Sequence, residues 1–192
     1  MEEPSFNTAL AKIGIRIWAK DIDEKFNGFI DIEETIVKAL YDCPTDGRLM
    51  SLVFSWQKIH GEFLITKKFF KICSLYERVR GPNHFINAFC AYSVHLGLHK
   101  YKKGSVPLKK ERYLTTEAPS IIKAHGAVDW LKKVNILCPI SYFVLKEESI
   151  MPQVDLLKCN LQYKNRFIYG ANWRADIITA IQFRFRLKSI SR

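Results

Sequence analysis

Residues 46–98 read DGRLMSLVFSWQKIHGEFLITKKFFKICSLYERVRGPNHFINAFCAYSVHLGL, and the fold turns on this stretch. Asp46 stands where a helix N-cap belongs, ahead of Leu49, Leu52, Val53, Trp56 and Ile59, which recur with the 3.6-residue helical period. His60-Gly61 ends that helix, and Phe63-Leu64-Ile65 has room for a single β-bridge only. Thr66 is then read as the cap of a second helix with Phe69, Phe70, Ile72 and Cys73 on its apolar side. Gly81-Pro82-Asn83 breaks the chain, and a third helix runs through Phe85, Ile86, Phe89, Cys90 and Leu96 to Gly97. Helix, short strand, helix, turn and helix is the order of a winged helix-turn-helix domain. An ordinary helical bundle is the plainer alternative.

In the winged-helix reading Asn83–His99 is the recognition helix, and Asn83, His84 and Asn87 face base edges. That helix is poor in Arg and Lys. The cations follow it, at Lys100, Lys102 and Lys103 beside Gly104-Ser105, then at Lys109, Lys110 and Arg112 beyond Pro107. A positive loop of this kind suits phosphate contacts, because it neutralises charge and releases counterions. A solvated connector is the alternative.

Before this core, Leu10, Ile13 and Ile17 form an apolar helical stripe with Trp18 beside them, and Asn27-Gly28 marks a turn. Asp31, with Glu34 three residues on, resembles an N-cap and its capping partner for a helix through Ile36, Val37 and Leu40 that stops before Pro44. After the core, residues 113–157 read as a linker and an α/β element. A helix follows Ala118-Pro119 through Ile121 to Val134, and strand-type residues run from Ile136 to Leu145. The tail Phe183-Arg184-Phe185-Arg186-Leu187-Lys188 alternates like a half-buried strand, with Arg184, Arg186 and Lys188 on its outer face at about phosphate spacing. The expected architecture is therefore α+β and mostly helical. Residues 1–45 form N-terminal helices, 46–112 the winged helix-turn-helix-like core, and 113–192 a smaller basic C-terminal α/β region.

Charge narrows the class of partner. The net charge of the 192 residues is +11. Residues 1–99 hold 12 Lys/Arg against 12 Asp/Glu, whereas residues 100–192 hold 18 against 7, so the whole excess sits in the second half. Such asymmetry suits a polyanion. No apolar run approaches the roughly 18–20 residues of a membrane span, and the acidic start Met1-Glu2-Glu3-Pro4 is unlike a secretory signal. A soluble, cytoplasmic protein with no membrane partner is expected. The five cysteines form no Cys-x-x-Cys pair and read as buried, reduced thiols.

Signals for an enzyme are poor. His95-Leu96-Gly97-Leu98-His99 lacks the Glu of a zinc-protease helix, and no phosphate-binding, dinucleotide or nucleophile-elbow motif occurs. No cofactor, metal or catalytic residue is expected. Asp155 and Asp176 are the carboxylates to try first if a nuclease site is assembled from distant residues. Asp176, at the start of an apolar helix, is read as structural, with Arg166 or Arg174 as its partner and Gly170 permitting the bend before it.

The segment Asn165-Arg166-Phe167-Ile168-Tyr169-Gly170-Ala171-Asn172-Trp173-Arg174-Ala175-Asp176-Ile177 resembles the stretch that introduces a winged helix in certain bacterial transcriptional regulators. Among these are antitoxins encoded beside nucleotidyltransferase-like toxins. Arg48-Leu49-x-x-Leu52-x-x-x-Trp56-x-x-x-His60-Gly61 is similar to a helix in their N-terminal part. The resemblance covers some thirty residues. It implies a DNA-binding domain after Asp176, yet only sixteen residues follow, too few for a complete winged helix. The resulting expectation is a non-enzymatic protein that binds double-stranded DNA, as a regulator or antitoxin-like repressor. Two alternatives stand beside it: a module whose basic half docks an acidic protein, and a metal-dependent nuclease.

Overall fold

The computed structural model describes residues 4–23, 25–26, 28–114 and 118–190, with residues 118 and 185–190 represented by their backbone only. The protein is mostly helical, with two very short strands. Helix α1 (Phe6–Lys12) opens the chain, and α2 (Ile32–Asp42) and α3 (Gly47–His60) follow. The expected caps of the latter two are in place: Asp31 accepts from the Glu34 amide at 3.1 Å and Asp46 from the Leu49 amide at 3.0 Å. Helices α4 (Thr66–Arg80) and α5 (His84–His95) complete the central group. Gly81 (φ +84°) makes the break between them, and the Asn83 carboxamide oxygen caps α5 on the Phe85 amide.

Beyond α5 the chain forms β1 (Arg112–Tyr113), α6 (Ala118–His125), α7 (Asp129–Lys132) and β2 (Ile136–Leu137). Gly126 (φ +78°) splits the single helix expected over 121–134 into α6 and α7. β1 and β2 pair in parallel, Arg112 opposite Ile136 and Tyr113 opposite Leu137. Helices α8 (Gln153–Cys159), α9 (Leu161–Tyr169) and α10 (Trp173–Ile190) end the chain.

Several local expectations are corrected. The link at 61–65 holds a 3-10 turn, Gly61–Phe63, in place of a β-bridge. The residue at the cap of α4 is Ile65, not Thr66, and its apolar side chain caps nothing. The strand expected from Ile136 shrinks to two residues because Pro139 cannot extend a ladder, and a 3-10 turn, Ile140–Tyr142, follows it. The first helix stops before Gly14 (φ +93°), so Ile17 lies outside it and Trp18 is 94% exposed. Asn27, and with it half of the expected Asn27-Gly28 turn, lies outside the described residues. The tail at 183–188 is helical within α10. A short alternation also fits a helix, and the chain offers no neighbouring strand there to select the extended form. A helical backbone over these positions replaces the extended one on which the phosphate-spaced row was expected.

One apolar cluster runs from Leu10 to Tyr163 and draws on all three of the segments expected from the sequence. Trp56 is fully buried, and its indole donates to the Ile13 carbonyl at 2.8 Å, tying α3 to the N-terminal segment. Phe54, Phe89, Tyr92, Trp130 and Phe143 form a continuous ring cluster with centroids 5.0–6.0 Å apart. At the other end, residues 14–16 pair with 149–151, and Met151 donates to the Gly14 carbonyl at 2.7 Å. A side chain at Gly14 would meet Met151 and Leu156 at 3.2–3.4 Å in a backbone conformation that disfavours one anyway.

The polar centre of the fold is Arg166 on α9, fully buried and surrounded by carboxylates. Its Nη1 and Nη2 donate to Oε1 and Oε2 of Glu33 at 2.6 and 2.8 Å. Its Nε and Nη2 donate to Oδ1 and Oδ2 of Asp176 at 2.9 Å each, and Nη1 also donates to the Phe63 carbonyl. All five guanidinium donors thus have acceptors. Lys68 on α4 joins from the rim, with Nζ 2.5 Å from Asp31, 3.0 Å from Asp176 and 3.3 Å from Glu33. Glu33 accepts in addition from the Ile65 amide at 2.8 Å, and Gln162 bridges the Ile32 amide to Asp176.

This network joins α2, α4, α9, α10 and the 61–65 turn. Removing one partner leaves buried charge uncompensated, so Glu33→Ala and Arg166→Met should each cost about 3–5 kcal/mol. The Glu33→Leu/Arg166→Met pair should cost clearly less than the sum of its single substitutions. Urea unfolding with unchanged m-values measures all of them, and additive losses would contradict the network.

Candidate functional site

Helix α5 is not available as a reading helix. Phe85, Ala88, Phe89, Cys90, Ala91, Tyr92 and Ser93 are all buried, which leaves little of its surface to enter a groove. A helix apolar on most sides belongs inside. Asn83 caps the helix and donates to the Leu40 carbonyl at 2.9 Å. Asn87 donates to the carbonyls of Gly104 and Val106, and His84 is half-buried, with burial lowering its pKa. Asn83 and Asn87, expected to face bases, are thus engaged with backbone carbonyls, whereas His84 Nε2 has no hydrogen-bond partner among the described residues.

The basic stretch after α5 divides in two. Lys100 turns inward: its Nζ donates to the carbonyls of Glu62 and Leu64 at 2.5 and 2.9 Å, while Tyr101, fully buried, donates to the Gly61 carbonyl at 2.9 Å. Two of the three Lys100 N–H donors are thus taken by that turn, although the residue as a whole is exposed. Lys102, Lys103, Lys109, Lys110 and Arg112 are exposed, and none of them has an ion-pair partner among the described residues.

Their backbone is anchored. Gly104 sits against Phe70 and Cys90 so closely that a Cβ would lie 2.5–2.7 Å from them, and Asn87 holds the carbonyls on either side of Ser105. The Leu108 amide donates to the Val134 carbonyl and the Arg112 amide to the Asn135 carbonyl, so residues 108–112 lie against the end of α7. Asn135 (φ +58°) reinforces this by donating to the Leu108 carbonyl at 2.6 Å. Exposed Lys132 and Lys133 are thereby brought beside Lys109, Lys110 and Arg112, although they lie some twenty residues further along the chain. Lys132 pairs with Asp129 at 2.9 Å, while Lys133 has no ion-pair partner among the described residues. Sequence reasoning missed this addition. The Lys132-Lys133 pair is visible in the sequence, but only the parallel β1–β2 pairing shows where it goes. Of the remaining expected contacts, Arg184 is exposed on α10, and the side chains of Arg186 and Lys188 lie outside the described residues.

A second feature lies over the ion network. A groove of about 680 Å³ runs between the start of α4 and the start of α10, lined by Leu64, Ile65, Lys67, Lys100, Trp173 and Ile177 among others. Lys68 and Asp176, both in the network, form part of its wall. Burial opposes the charge of Asp176, but Arg166 and Lys68 outweigh it and hold the carboxyl below its usual range. Burial likewise opposes the charge of Lys68, and Glu33 and Asp31 raise its pKa nonetheless. Lys100 makes no ion pair among the described residues: partial removal from water lowers its pKa to about 8, and the more distant Glu62 and Glu33 offset this only in part.

The carboxylates considered for catalysis have other roles. Asp176 pairs with Arg166, as its position at the head of α10 suggested, and Asp155 pairs with Lys158 on the surface of α8. His95 stacks on Trp130 with ring planes 13° apart. No group of three His, Cys, Asp or Glu residues converges as a metal-ligand set among the described residues. Four cysteines are buried, with burial raising their pKa values, and Cys159 is exposed. Comparisons with protein families, curated proteins and solved structures give no match to this chain.

His60 is the one fully buried histidine described, and its neighbours fix its tautomer. The Met151 carbonyl, 2.9 Å from Nε2, can only accept, so Nε2 carries the proton and Nδ1 accepts from the Tyr163 hydroxyl at 2.7 Å. Burial lowers its pKa to about 4, with the Met151 bond opposing the shift. The unfolded chain therefore binds a proton there before the folded one does. Stability contributed by neutral His60 is complete above its unfolded pKa of about 6.5 and is lost as pH falls toward 4. The loss should reach about 2–3 kcal/mol. His60→Gln, which can keep both hydrogen bonds without titrating, should flatten urea-derived stability between those pH values.

Proposed function

We propose that this chain is a non-enzymatic DNA-binding protein that grips phosphates with the surface built from Lys102, Lys103, Lys109, Lys110 and Arg112 together with Lys132 and Lys133. The observation that carries this reading is the apposition of two basic segments, distant in sequence, whose lysines have almost no carboxylate partners. Cations held on an anchored backbone without counter-charges lose little entropy on meeting a polyanion, and each phosphate neutralised releases counterions. In this reading the 100–112 stretch does the work of a wing, although it pairs in parallel with β2 instead of forming a hairpin of its own. Because α5 is buried, binding rests on charge and shape more than on direct reading of bases. A regulator or repressor role accords with the resemblance over 48–61 and 165–177, within which Arg166 and Asp176 are partners in the ion network.

Fluorescence anisotropy of a labelled random duplex of about 30 base pairs, at about 50 and 200 mM salt, tests the proposal. Binding should be present at the lower salt and fall steeply at the higher. Lys109→Glu/Lys110→Glu should weaken it at least tenfold and lower the slope of log K against log salt by about 2. Absence of binding at the lower salt, or an unchanged affinity in the double variant, would falsify it. A stoichiometric complex with an acidic protein in place of DNA would assign the same face to the alternative partner.

A further inference from the structure

A site for a small organic anion lies away from the basic face. We propose that the groove between the starts of α4 and α10 binds an organic anion, with its acidic head at Lys67 and Lys100 and its apolar body along Trp173, Ile177 and Ala180.

Size comes first. At about 680 Å³ the groove falls within the range of small-molecule pockets. Its lining divides by chemistry. Helix α10 contributes Trp173, Ile177 and Ala180, with Leu64 and Ile65 opposite, while the cations come from α4 and the turn at Lys100. Trp173 is 66% exposed and Ile177 48%, large apolar surfaces left in contact with water at the mouth of a concavity.

Charge selects an anion. The carboxylate in the wall, Asp176, is already matched by Arg166, Lys68 and Gln162, so it does not call for a further cation. Lys68 is likewise matched by three carboxylates. The charges of the groove without an ion-pair partner among the described residues are Lys67, which is exposed, and Lys100. The Lys100 ammonium has three donors and two carbonyl acceptors, which leaves one N–H for a ligand. Its lowered pKa accords with a cation short of a counter-ion.

The site is also held in shape before any ligand arrives. Arg166 fixes the Phe63 carbonyl, Glu33 the Ile65 amide, and Lys100 itself the carbonyls on either side of Phe63, while the Asp176 pair seats α10. A preorganised site avoids the ordering cost that weakens binding of small ligands.

The test uses three probes on the full chain, followed by amide NMR shifts and calorimetry: 2-naphthoate, its neutral isostere 2-naphthylmethanol, and inorganic phosphate. Naphthoate should saturate with a dissociation constant below about 1 mM, shifting amides at 64–68 and 171–177. The alcohol and phosphate should each bind at least roughly tenfold more weakly, since each lacks one half of the match. Lys67→Met, at a residue that holds nothing else in place, and Ile177→Glu should each weaken naphthoate by a similar factor while leaving the melting temperature unchanged. Lys100→Met should weaken naphthoate by a similar factor and also lower the melting temperature, because Lys100 holds the Glu62 and Leu64 carbonyls, whereas Lys100→Arg should keep both. The proposal fails if naphthoate does not saturate by about 5 mM, if the shifts fall elsewhere, or if the lysine substitutions leave its affinity unchanged. Binding that depends on Ile177 but not on either lysine would also overturn it, and would mark the groove as an apolar docking face for a protein.

Discussion

Everything in this protein is arranged around a guanidinium removed from water. Arg166 is fully buried, and such a group is tolerable only when each of its donors meets an acceptor in good geometry. Five acceptor contacts, from Glu33, Asp176 and Phe63, meet that demand, and they come from three separate parts of the chain. Lysine could not take this place, because a single ammonium cannot serve two carboxylates bidentately. The relative positions of α2, α9, α10 and the 61–65 turn are thus set by one side chain. Lys68 adds α4 to the set from the solvent side.

Both functional surfaces inherit their form from this arrangement and from the packing of α5. The groove exists because the network holds the heads of α4 and α10 apart while filling the space beneath them with matched charge. The basic face exists because the chain leaving α5 is tied to the 61–65 turn by Lys100 and Tyr101, to α5 by Asn87, and to the end of α7 by Asn135. Each tie directs a backbone carbonyl or amide inward and leaves Lys102, Lys103, Lys109 and Lys110 facing water. The cations are exposed because their neighbours are anchored.

Much of the helical framework was legible in the sequence. Asp31 and Asp46 act as caps where their spacing to Glu34 and Leu49 placed them, Gly81 breaks the chain between α4 and α5, and Asp176 has an arginine partner. These are local features, decided within a few residues by backbone hydrogen bonding and the helix dipole. Where two local readings competed, tertiary context chose. Phe183 packs edge-on to Phe29, and the tail that alternates like a strand is helical. Asn83, His84 and Asn87 are polar residues on a helix, which the sequence alone cannot distinguish from a reading surface. The commitment of Asn83 to Leu40 and of Asn87 to Gly104 and Val106 depends on chain that returns from elsewhere.

The sequence by itself determined where α2 and α3 are capped, where the chain breaks between α4 and α5, that the chain can build a large core rich in aromatics, and that the positive charge lies in the second half. Periodicity, caps and charge counts are properties of neighbouring residues and need no fold to be read. Only the tertiary structure decided that Glu33 would meet Arg166 across 133 positions, that Lys133 would join Lys109 and Lys110, and that Lys100 would turn inward while Lys102 and Lys103 stayed out. Such pairings are set by whichever arrangement leaves no buried donor or charge unmatched over the whole chain. That condition is global, and no single stretch of residues contains it.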